Sequence, residues 1–158
     1  MLPLVLWLWR GQAARGREPD DLAKMAIGCA LFALGTLWLA AAPLVSGADD
    51  RAPLLWAVAF HLISNLGWLY FTPIAVALYA GRAPESLRGT MIGVNTTSIF
   101  AASLISGRIG GLYEQLSPAR FWIFHAAIVG IGGIVLALGA RLIRSLLSAG
   151  EPGSADDR

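Results

Sequence analysis

Four long stretches of this chain contain no charged residue, and they constrain its fold more than any other feature. They run over residues 25–48, 52–81, 89–107 and 121–140. About 18 to 20 apolar residues in a helix cross the ~30 Å hydrocarbon core of a bilayer, and each stretch reaches that length. A transmembrane β-strand would alternate apolar and polar residues, which these stretches do not do. We therefore predict an all-α membrane protein, with four transmembrane helices at residues 25–46, 54–80, 89–107 and 121–140.

Composition agrees with a chain embedded in the lipid bilayer and excludes several functions. Hydrophobic residues make up 56% of the sequence and charged residues only 14%, which is more apolar than a soluble domain of this size. The net charge of +2 comes from residues outside the four stretches, so it predicts no nucleic-acid partner. Every Asp and Glu also lies outside them, and Cys29 is the one cysteine. We predict no metal site, no cofactor and no enzymatic activity.

The two ends of the chain do not fit a complete span. Residues 1–9, MLPLVLWLW, are apolar but would extend only about 13 Å as a helix, less than half a membrane. They are expected to be the end of a helix whose beginning is missing. Residues 148–158 are small, polar and charged, which is typical of a disordered cytoplasmic tail. The predicted domain is therefore a partial transmembrane bundle over residues 1–147.

Basic residues predict the orientation of the helices. Cytoplasmic loops are enriched in Lys and Arg, and the four-helix arrangement distributes the 12 basic residues unevenly between the two sides. One side holds Arg10, Arg15, Arg17, Lys24, Arg82, Arg88, Arg141, Arg144 and Arg158. The other side holds Arg51, Arg108 and Arg120. We therefore expect a plasma (inner) membrane protein with both ends of the four-helix block in the cytoplasm.

Small residues recur at a spacing of four in the last two stretches. Gly89 and Gly93 are one such pair, and Ser103, Gly107 and Gly111 are a second series, while Gly130, Gly132, Gly133 and Gly139 interrupt the final stretch. Residues four apart share a helix face, and small side chains let two membrane helices approach closely. These positions are expected to pack against neighbouring helices, and some of them could mark places where helices bend or slide.

Four residues of the second stretch form a polar and aromatic face. His61, Asn65, Trp68 and Thr72 are spaced i, i+4, i+7 and i+11, which places them on one side of a helix. Polar groups are costly against lipid, so this face should point into protein or a water-filled cavity. Trp is usually found at the membrane surface, whereas Trp68 lies near the middle of its stretch. The face therefore predicts a cavity wall, although His61 and Asn65 could equally bond another helix without binding a ligand.

Two further residues complete the predicted cavity. Pro73 follows Thr72 directly and cannot donate a hydrogen bond to the carbonyl of Leu69, so it predicts a helix kink that frees a backbone acceptor. In the third stretch, Asn95 begins a polar cluster that continues through Ser98. Asn95 is the residue of that cluster that we expect to reach the same cavity, with interhelical hydrogen bonding as its alternative.

These motifs resemble the carboxy-terminal half of the proton-dependent oligopeptide transporter family of the major facilitator superfamily. The resemblance rests on Gly67, Pro73, the pair Ala83–Pro84, the segment RGTMIGV from Arg88 and the Gly-rich ISGRIGGLY. The corresponding family pattern reads approximately G-E-L-x-x-S-P-x-G, then A-P, then a helix that opens M-x-G. The resemblance implies a carboxy-terminal fragment of a secondary transporter, lacking its amino-terminal half. Such a transporter moves a small, peptide-like solute by alternating access, coupled to protons.

The sequence departs from the family pattern at three positions of this motif. Trp68 stands where the family has the Glu associated with recognition of peptides, Thr72 replaces Ser, and Ala75 replaces Gly. An aromatic ring cannot form an ion pair with an ammonium group, although a cation–π contact is available to it. The expected substrate is therefore a small solute that is peptide-like or of another class. The alternative function is a free-standing four-helix membrane protein that acts as an assembly or interaction subunit without transport.

Overall fold

The structure is a computed structural model that describes residues 2–16, 19–46 and 52–149. This part of the chain folds into five α-helices and two short 3₁₀ turns, without a strand. The helices are α1 (Leu2–Ala14), α2 (Asp21–Ser46), α3 (Leu54–Arg82), α4 (Arg88–Gly110) and α5 (Pro118–Ala149). The 3₁₀ turns, Glu85–Leu87 and Gly111–Glu114, lie on either side of α4. The predicted all-α class is confirmed.

Three of these helices are long and apolar enough to cross a membrane. They are α2 over its whole length, α3 over Leu54–Gly81 and α5 over Pro118–Leu142. Helix α4 has 23 residues and is long enough, but it is not one of the three. Its run of polar residues from Asn95 to Ser98 lowers its hydropathy. Three predicted spans are thus supported as membrane helices, and the count of four stays a prediction.

The helices begin where local chemistry favours a helix start. Asp20 precedes α2, and its Oδ1 accepts a hydrogen bond of 2.7 Å from the backbone N–H of Ala23, which satisfies one of the free donors at a helix start. Pro53 precedes α3, and Pro118 is the first residue of α5, where the missing N–H costs nothing. Each of these helices is longer than its predicted span, because helical hydrogen bonding continues past the charged residues that bound the uncharged stretches.

Helix α2 lies between α3 and α5 and forms the centre of the bundle. Gly28 of α2 faces Gly67 of α3, while Gly35 faces Ser64, so the two helices run antiparallel. A Cβ atom added to Gly67 would lie 2.7 Å from the carbonyl oxygen of Gly28, and the reverse substitution gives 2.8 Å. Two helix backbones therefore touch directly at this crossing, which only glycine permits.

The glycines that pack are mostly different from those expected. Of the positions named in the last two stretches, Gly133 is in close contact, because a Cβ there would lie 2.9 Å from the Cβ of Cys29. A Cβ at any of the other named glycines would meet no neighbouring atom within 4 Å in the described structure: Gly89, Gly93, Gly107, Gly111, Gly130, Gly132 and Gly139. Within the described residues these glycines make no close packing contact, because spacing alone does not tell which face of a helix is covered.

The amino-terminal helix α1 is held against the bundle by an aromatic residue. The ring of Trp9 meets that of Tyr70 edge to face, with 5.3 Å between the centroids, and Nζ of Lys24 lies 4.8 Å from the Trp9 ring. Trp9 also packs on the small buried core formed by Met25, Ile74 and Ala75. Helix α1 extends to Ala14, past the predicted limit at residue 9.

The predicted carboxy-terminal tail lies mainly outside the described residues. Helix α5 continues through residues 148 and 149, and positions 150–158 of the proposed tail are not described. The division into a bundle over residues 1–147 and a tail over 148–158 stays a prediction.

Candidate solute cavity

A cavity of about 410 Å³, here called the solute cavity, opens between α3 and α4. The cavity lies about halfway along α3, beside Trp68. Helix α2 contributes one residue, Phe32. The other lining residues are Trp68, Phe71, Thr72 and Ala75 on α3, and Asn95, Ile99, Ala102, Ser103 and Ser106 on α4. The cavity is thus bordered mainly by two facing helices, about halfway along their length.

The structure brings three of the predicted site residues together in this cavity. Trp68 and Thr72 line it from α3, and Asn95 lines it from α4. Trp68 remains 56% exposed, which is unusual for a tryptophan halfway along a helix. Residues that were predicted separately on α3 and on α4 therefore line the same cavity.

His61 and Asn65 are not brought into the solute cavity. Both are exposed on the first half of α3, before the part of the helix that lines the cavity. The imidazole of His61 lies beside the ring of Phe60, with 5.2 Å between centroids. Their role as solute-binding residues stays a prediction.

Pro73 lies in the cavity-lining part of α3 but does not line the cavity itself. It is exposed, between Thr72 and the buried Ile74. Helix α3 is a single continuous element from Leu54 to Arg82 in spite of this proline. The predicted kink stays a prediction.

The polar groups of α4 divide into two kinds. Most of its hydroxyl groups donate to a carbonyl oxygen four residues earlier in the same helix: Thr96 to Ile92 at 3.0 Å, and Thr97 to Gly93, Ser98 to Val94 and Ser103 to Ile99 at 2.9 Å each. Asn95 differs, because its side chain is only 8% exposed and its carboxamide makes no hydrogen bond within the described part of the chain. Asn95 lines the cavity, and the donors and acceptor of its carboxamide have no partner among the described residues.

The hydroxyl of Thr72 is the counterpart of Asn95 on α3. Threonine in a helix commonly bonds the carbonyl four residues earlier, as Thr96 and Thr97 do here. No such bond of the Thr72 hydroxyl occurs among the described residues. Thr72 and Asn95 thus line opposite walls of one cavity without hydrogen-bond partners among the described residues, and the Ser106 hydroxyl on α4 is a third such group.

The remaining described wall of the cavity is aromatic, small or aliphatic, and no Asp, Glu, Lys, Arg or His of the described residues lines it. The rings of Phe32, Trp68 and Phe71 also line an adjoining cavity of about 360 Å³, which includes Gly28 and Gly67. Aromatic surface with a few uncharged polar groups is suited to binding an uncharged organic molecule. No cluster of three or more potential metal ligands occurs in the described parts of the chain.

Sequence reasoning missed several lining residues, and a signal for part of them was present. Asn95, Ile99, Ala102 and Ser106 follow the spacing i, i+4, i+7 and i+11, the same spacing as the face found on α3. Extending that face from Asn95 would have identified the α4 wall. Phe32 and Phe71 carried no such signal, because nothing in their sequence neighbourhood indicates that α2 and α3 are in contact there.

Comparison with known proteins identifies relatives of one kind. The chain is 29% identical over 144 residues to the peptide transporter YePEPT of Yersinia enterocolitica, an alignment that covers 87% of this chain. It is 24% identical over 136 residues to a di-/tripeptide transporter of Lactococcus lactis, covering 86%. It is 27% identical over 144 residues to a dipeptide and tripeptide permease B of Photorhabdus luminescens, also covering 86%. No protein-family model and no solved structure matches the chain.

These relatives are much longer than this chain. The aligned part makes up 28%, 26% and 30% of the three proteins, respectively, so the chain spans less than a third of their length. Their names are those of transporters, and the absence of enzymatic activity in this chain stays a prediction. The apolar helices and these relatives agree on an integral membrane protein. The resemblance predicted from the sequence is therefore confirmed: this chain is a homologue of bacterial peptide transporters.

Proposed function

We propose that this chain forms the carboxy-terminal part of a secondary transporter that carries a small, peptide-like solute across the membrane by alternating access. The observation that carries the proposal is the solute cavity at mid-depth between α3 and α4, in a homologue of peptide transporters. A transporter of this kind needs a second bundle, which the proposal assigns to the remaining length seen in the relatives. Relatives that are all named as transporters or permeases do not favour the assembly-subunit alternative.

The path of α4 supports a fourth transmembrane helix. Helix α5 begins beside the first turns of α3, since the ring centroids of Trp122 and Phe60 are 5.8 Å apart. Helix α4 starts after the opposite end of α3 and ends just before α5, so it has to traverse the depth of the bundle. Its 23 residues correspond to about 35 Å, which matches a bilayer. Hydroxyl groups that bond within the helix lower the cost of placing it there.

Orientation and localisation in this proposal rest on the basic residues. With four spans, nine of the 12 basic residues are on one side, which the positive-inside rule assigns to the cytoplasm. Both ends of the four-helix block are then cytoplasmic, in the plasma membrane. The turn around Glu85 also lies in the cytoplasm, and the turn at Gln115 lies outside.

Exposed polar residues on α3 support the presence of a further bundle. His61 and Asn65 are exposed on a helix that can span a membrane, and Trp68 next to them is 56% exposed. Polar side chains at these depths are costly in contact with lipid. A second bundle facing this side would enclose them together with the solute cavity, and would add His61 and Asn65 to its wall.

Proton coupling is part of the proposal and draws on the resemblance to proton-dependent transporters. Within α3 and α5, the proposal assigns proton exchange to the two histidines, His61 and His125. His125 is half-buried, and its Nδ1 donates to the carbonyl oxygen of Phe121 at 3.0 Å, which leaves Nε2 for a proton. Residues outside this chain are expected to carry the rest of the coupling.

The proposed function is tested by reconstitution of the full in-frame product of the gene in liposomes. Accumulation of a labelled solute from a panel of charged and uncharged small peptides is measured with an inward proton gradient, and again with a protonophore. We expect uptake of at least one compound and its loss with the protonophore. Absence of uptake for the whole panel, with correctly inserted protein, would contradict transport.

A matched pair of variants connects transport to the solute cavity. Ala102 and Ala101 are neighbouring exposed residues of α4, and only Ala102 lines the cavity. Ala102→Trp adds a large ring to the cavity and is expected to abolish uptake, whereas Ala101→Trp places the same ring outside it and is expected to retain uptake. Equal activity of the two variants would exclude this cavity from the solute path.

A further inference from the structure

We propose that this part of the transporter recognises uncharged amide compounds, such as cyclic dipeptides and peptides blocked at both ends, in preference to zwitterionic dipeptides. The inference rests on the proposed function and specifies the substrate class of the solute cavity. It follows from the lining side chains that the structure describes: polar groups without partners on both facing helices, an aromatic wall and no charged side chain.

The absence of charge from the described cavity wall disfavours a zwitterion. A linear dipeptide carries an ammonium and a carboxylate group, and each loses part of its hydration where it packs against the apolar lining residues. Burying an ion without an opposite charge is far more costly than burying an amide that forms hydrogen bonds. Among the lining residues of α2, α3 and α4, none can provide that opposite charge.

The partner-free polar groups are complementary to an amide. The carboxamide of Asn95 has an N–H donor and a C=O acceptor side by side, the arrangement needed to pair with the C=O and N–H of a cis amide. The Thr72 hydroxyl, on the facing helix, can donate to or accept from a second amide. A cyclic dipeptide offers two cis amides on opposite edges of one ring, so it can engage both helices at once.

The rest of the cavity suits the faces and side chains of such a compound. Trp68 and Phe71 provide flat apolar surface against which a planar ring or an aromatic side chain packs. The volume of about 410 Å³ lies within the range of small-molecule sites and exceeds that of a small cyclic dipeptide.

The test compares compounds that differ in charge and share their side chains. Binding of cyclo(Gly-Phe), of linear Gly-Phe and of N-acetylphenylalanine amide is measured by calorimetry on the full in-frame product in lipid nanodiscs. The cyclic and linear compounds differ by one water molecule, because ring closure converts the two charged ends into a second amide. We expect the two uncharged compounds to bind at least about tenfold more tightly than linear Gly-Phe.

Variants then connect the preference to Asn95 and Thr72. Thr72→Val and Asn95→Leu each remove one hydrogen-bonding group at nearly constant size, and each is expected to weaken binding of cyclo(Gly-Phe) about tenfold. Thr97→Val is the matched control, because the Thr97 hydroxyl bonds its own helix and is outside the cavity. It is expected to leave binding unchanged. Circular dichroism and size-exclusion profiles of all variants check that they are folded.

The possible outcomes separate this inference from the proposed function. Tighter binding of linear Gly-Phe, no binding of any of the three compounds to folded protein, or equal binding by wild type, Thr72→Val and Asn95→Leu would each overturn the inference. Uptake of zwitterionic peptides in liposomes with no uptake of uncharged ones would overturn it while supporting transport. Tight binding of cyclo(Gly-Phe) without uptake of any solute would support the inference and contradict the proposed function.

Discussion

The contact between Gly28 and Gly67 makes the stability of the bundle sensitive to a single methyl group. A Cβ at Gly67 would lie 2.7 Å from the carbonyl oxygen of Gly28, whereas ordinary contact begins at 3.4 Å. Both groups belong to helix backbones, so neither can rotate away as a side chain would. Gly67→Ala therefore requires α2 and α3 to separate by about 0.7 Å at this crossing.

The expected loss of stability can be calculated from the packing contacts that such a separation weakens. A gap of ~0.5–1 Å forfeits about a quarter to a half of the dispersion energy of each contact across the interface. Together with the strain of overpacking, the expected loss is about 1–3 kcal/mol of the free energy of unfolding. The higher helix propensity of alanine offsets up to ~1 kcal/mol of this loss in the free energy of unfolding. Gly67→Ala is therefore expected to lower the Tm in detergent by several degrees.

The matched control is Gly93→Ala on α4, where an added Cβ meets no atom of a neighbouring element within 4 Å in the described structure. This variant makes the same chemical change in a helix but not at an interface, and its Tm is expected to be unchanged or slightly higher. In the double variant Gly28→Ala with Gly67→Ala, one separation relieves both contacts, so the combined loss should be smaller than the sum of the two. A Tm for Gly67→Ala that equals or exceeds that of Gly93→Ala would refute the close crossing.

Three other predictions concern the topology, the cavity wall and a helix start. Single cysteines at Glu85 and Gln115 in a Cys29→Ala background should differ in labelling, because only position 115 is expected to react with an impermeant thiol reagent in intact cells. Equal labelling of the two positions would show that α4 does not cross the membrane. Trp68→Glu should reach near-normal membrane expression, because Trp68 is 56% exposed and a carboxylate there can stay hydrated. Loss of folded protein with Trp68→Glu but not with Trp68→Phe would contradict the cavity assignment. Asp20→Ala removes the cap of α2 and should lower the free energy of unfolding by about 0.5–2 kcal/mol in thermal denaturation; a Tm equal to that of the wild type would show that this cap contributes nothing.

The positions of the helices were predictable from the sequence because one physical requirement dominates them. Uncharged runs of sufficient length have to be helical in a bilayer, and prolines or acidic residues mark their starts. The prediction at 54–80 accordingly agrees with α3 at Leu54–Arg82, and that at 25–46 with α2 at Asp21–Ser46. The predicted ends differ by a few residues, since charge and hydropathy do not report where helical hydrogen bonding stops.

The contacts between helices were less predictable. Helical spacing correctly grouped Trp68 with Thr72, since both line the solute cavity, but the same spacing also included His61, which lies outside it. Periodicity assigns residues to a face and not to the part of that face that another helix covers. The contact between Gly28 and Gly67 depends in the same way on the crossing point of two helices, which is a property of the assembled bundle.

Helix α4 is the one that hydropathy fails to classify as a span, and it is also the helix that supplies half of the cavity wall. Under the proposed function these two facts have one cause. A helix that borders a solute path carries polar groups, and each of them lowers its mean hydropathy. Hydroxyls bonded to the helix's own carbonyls, such as that of Thr97, add little cost in the membrane, because no free donor remains. Asn95 has no such partner in the described structure, so a bound molecule or a group of the proposed second bundle has to form hydrogen bonds with its carboxamide to offset the cost of burying it.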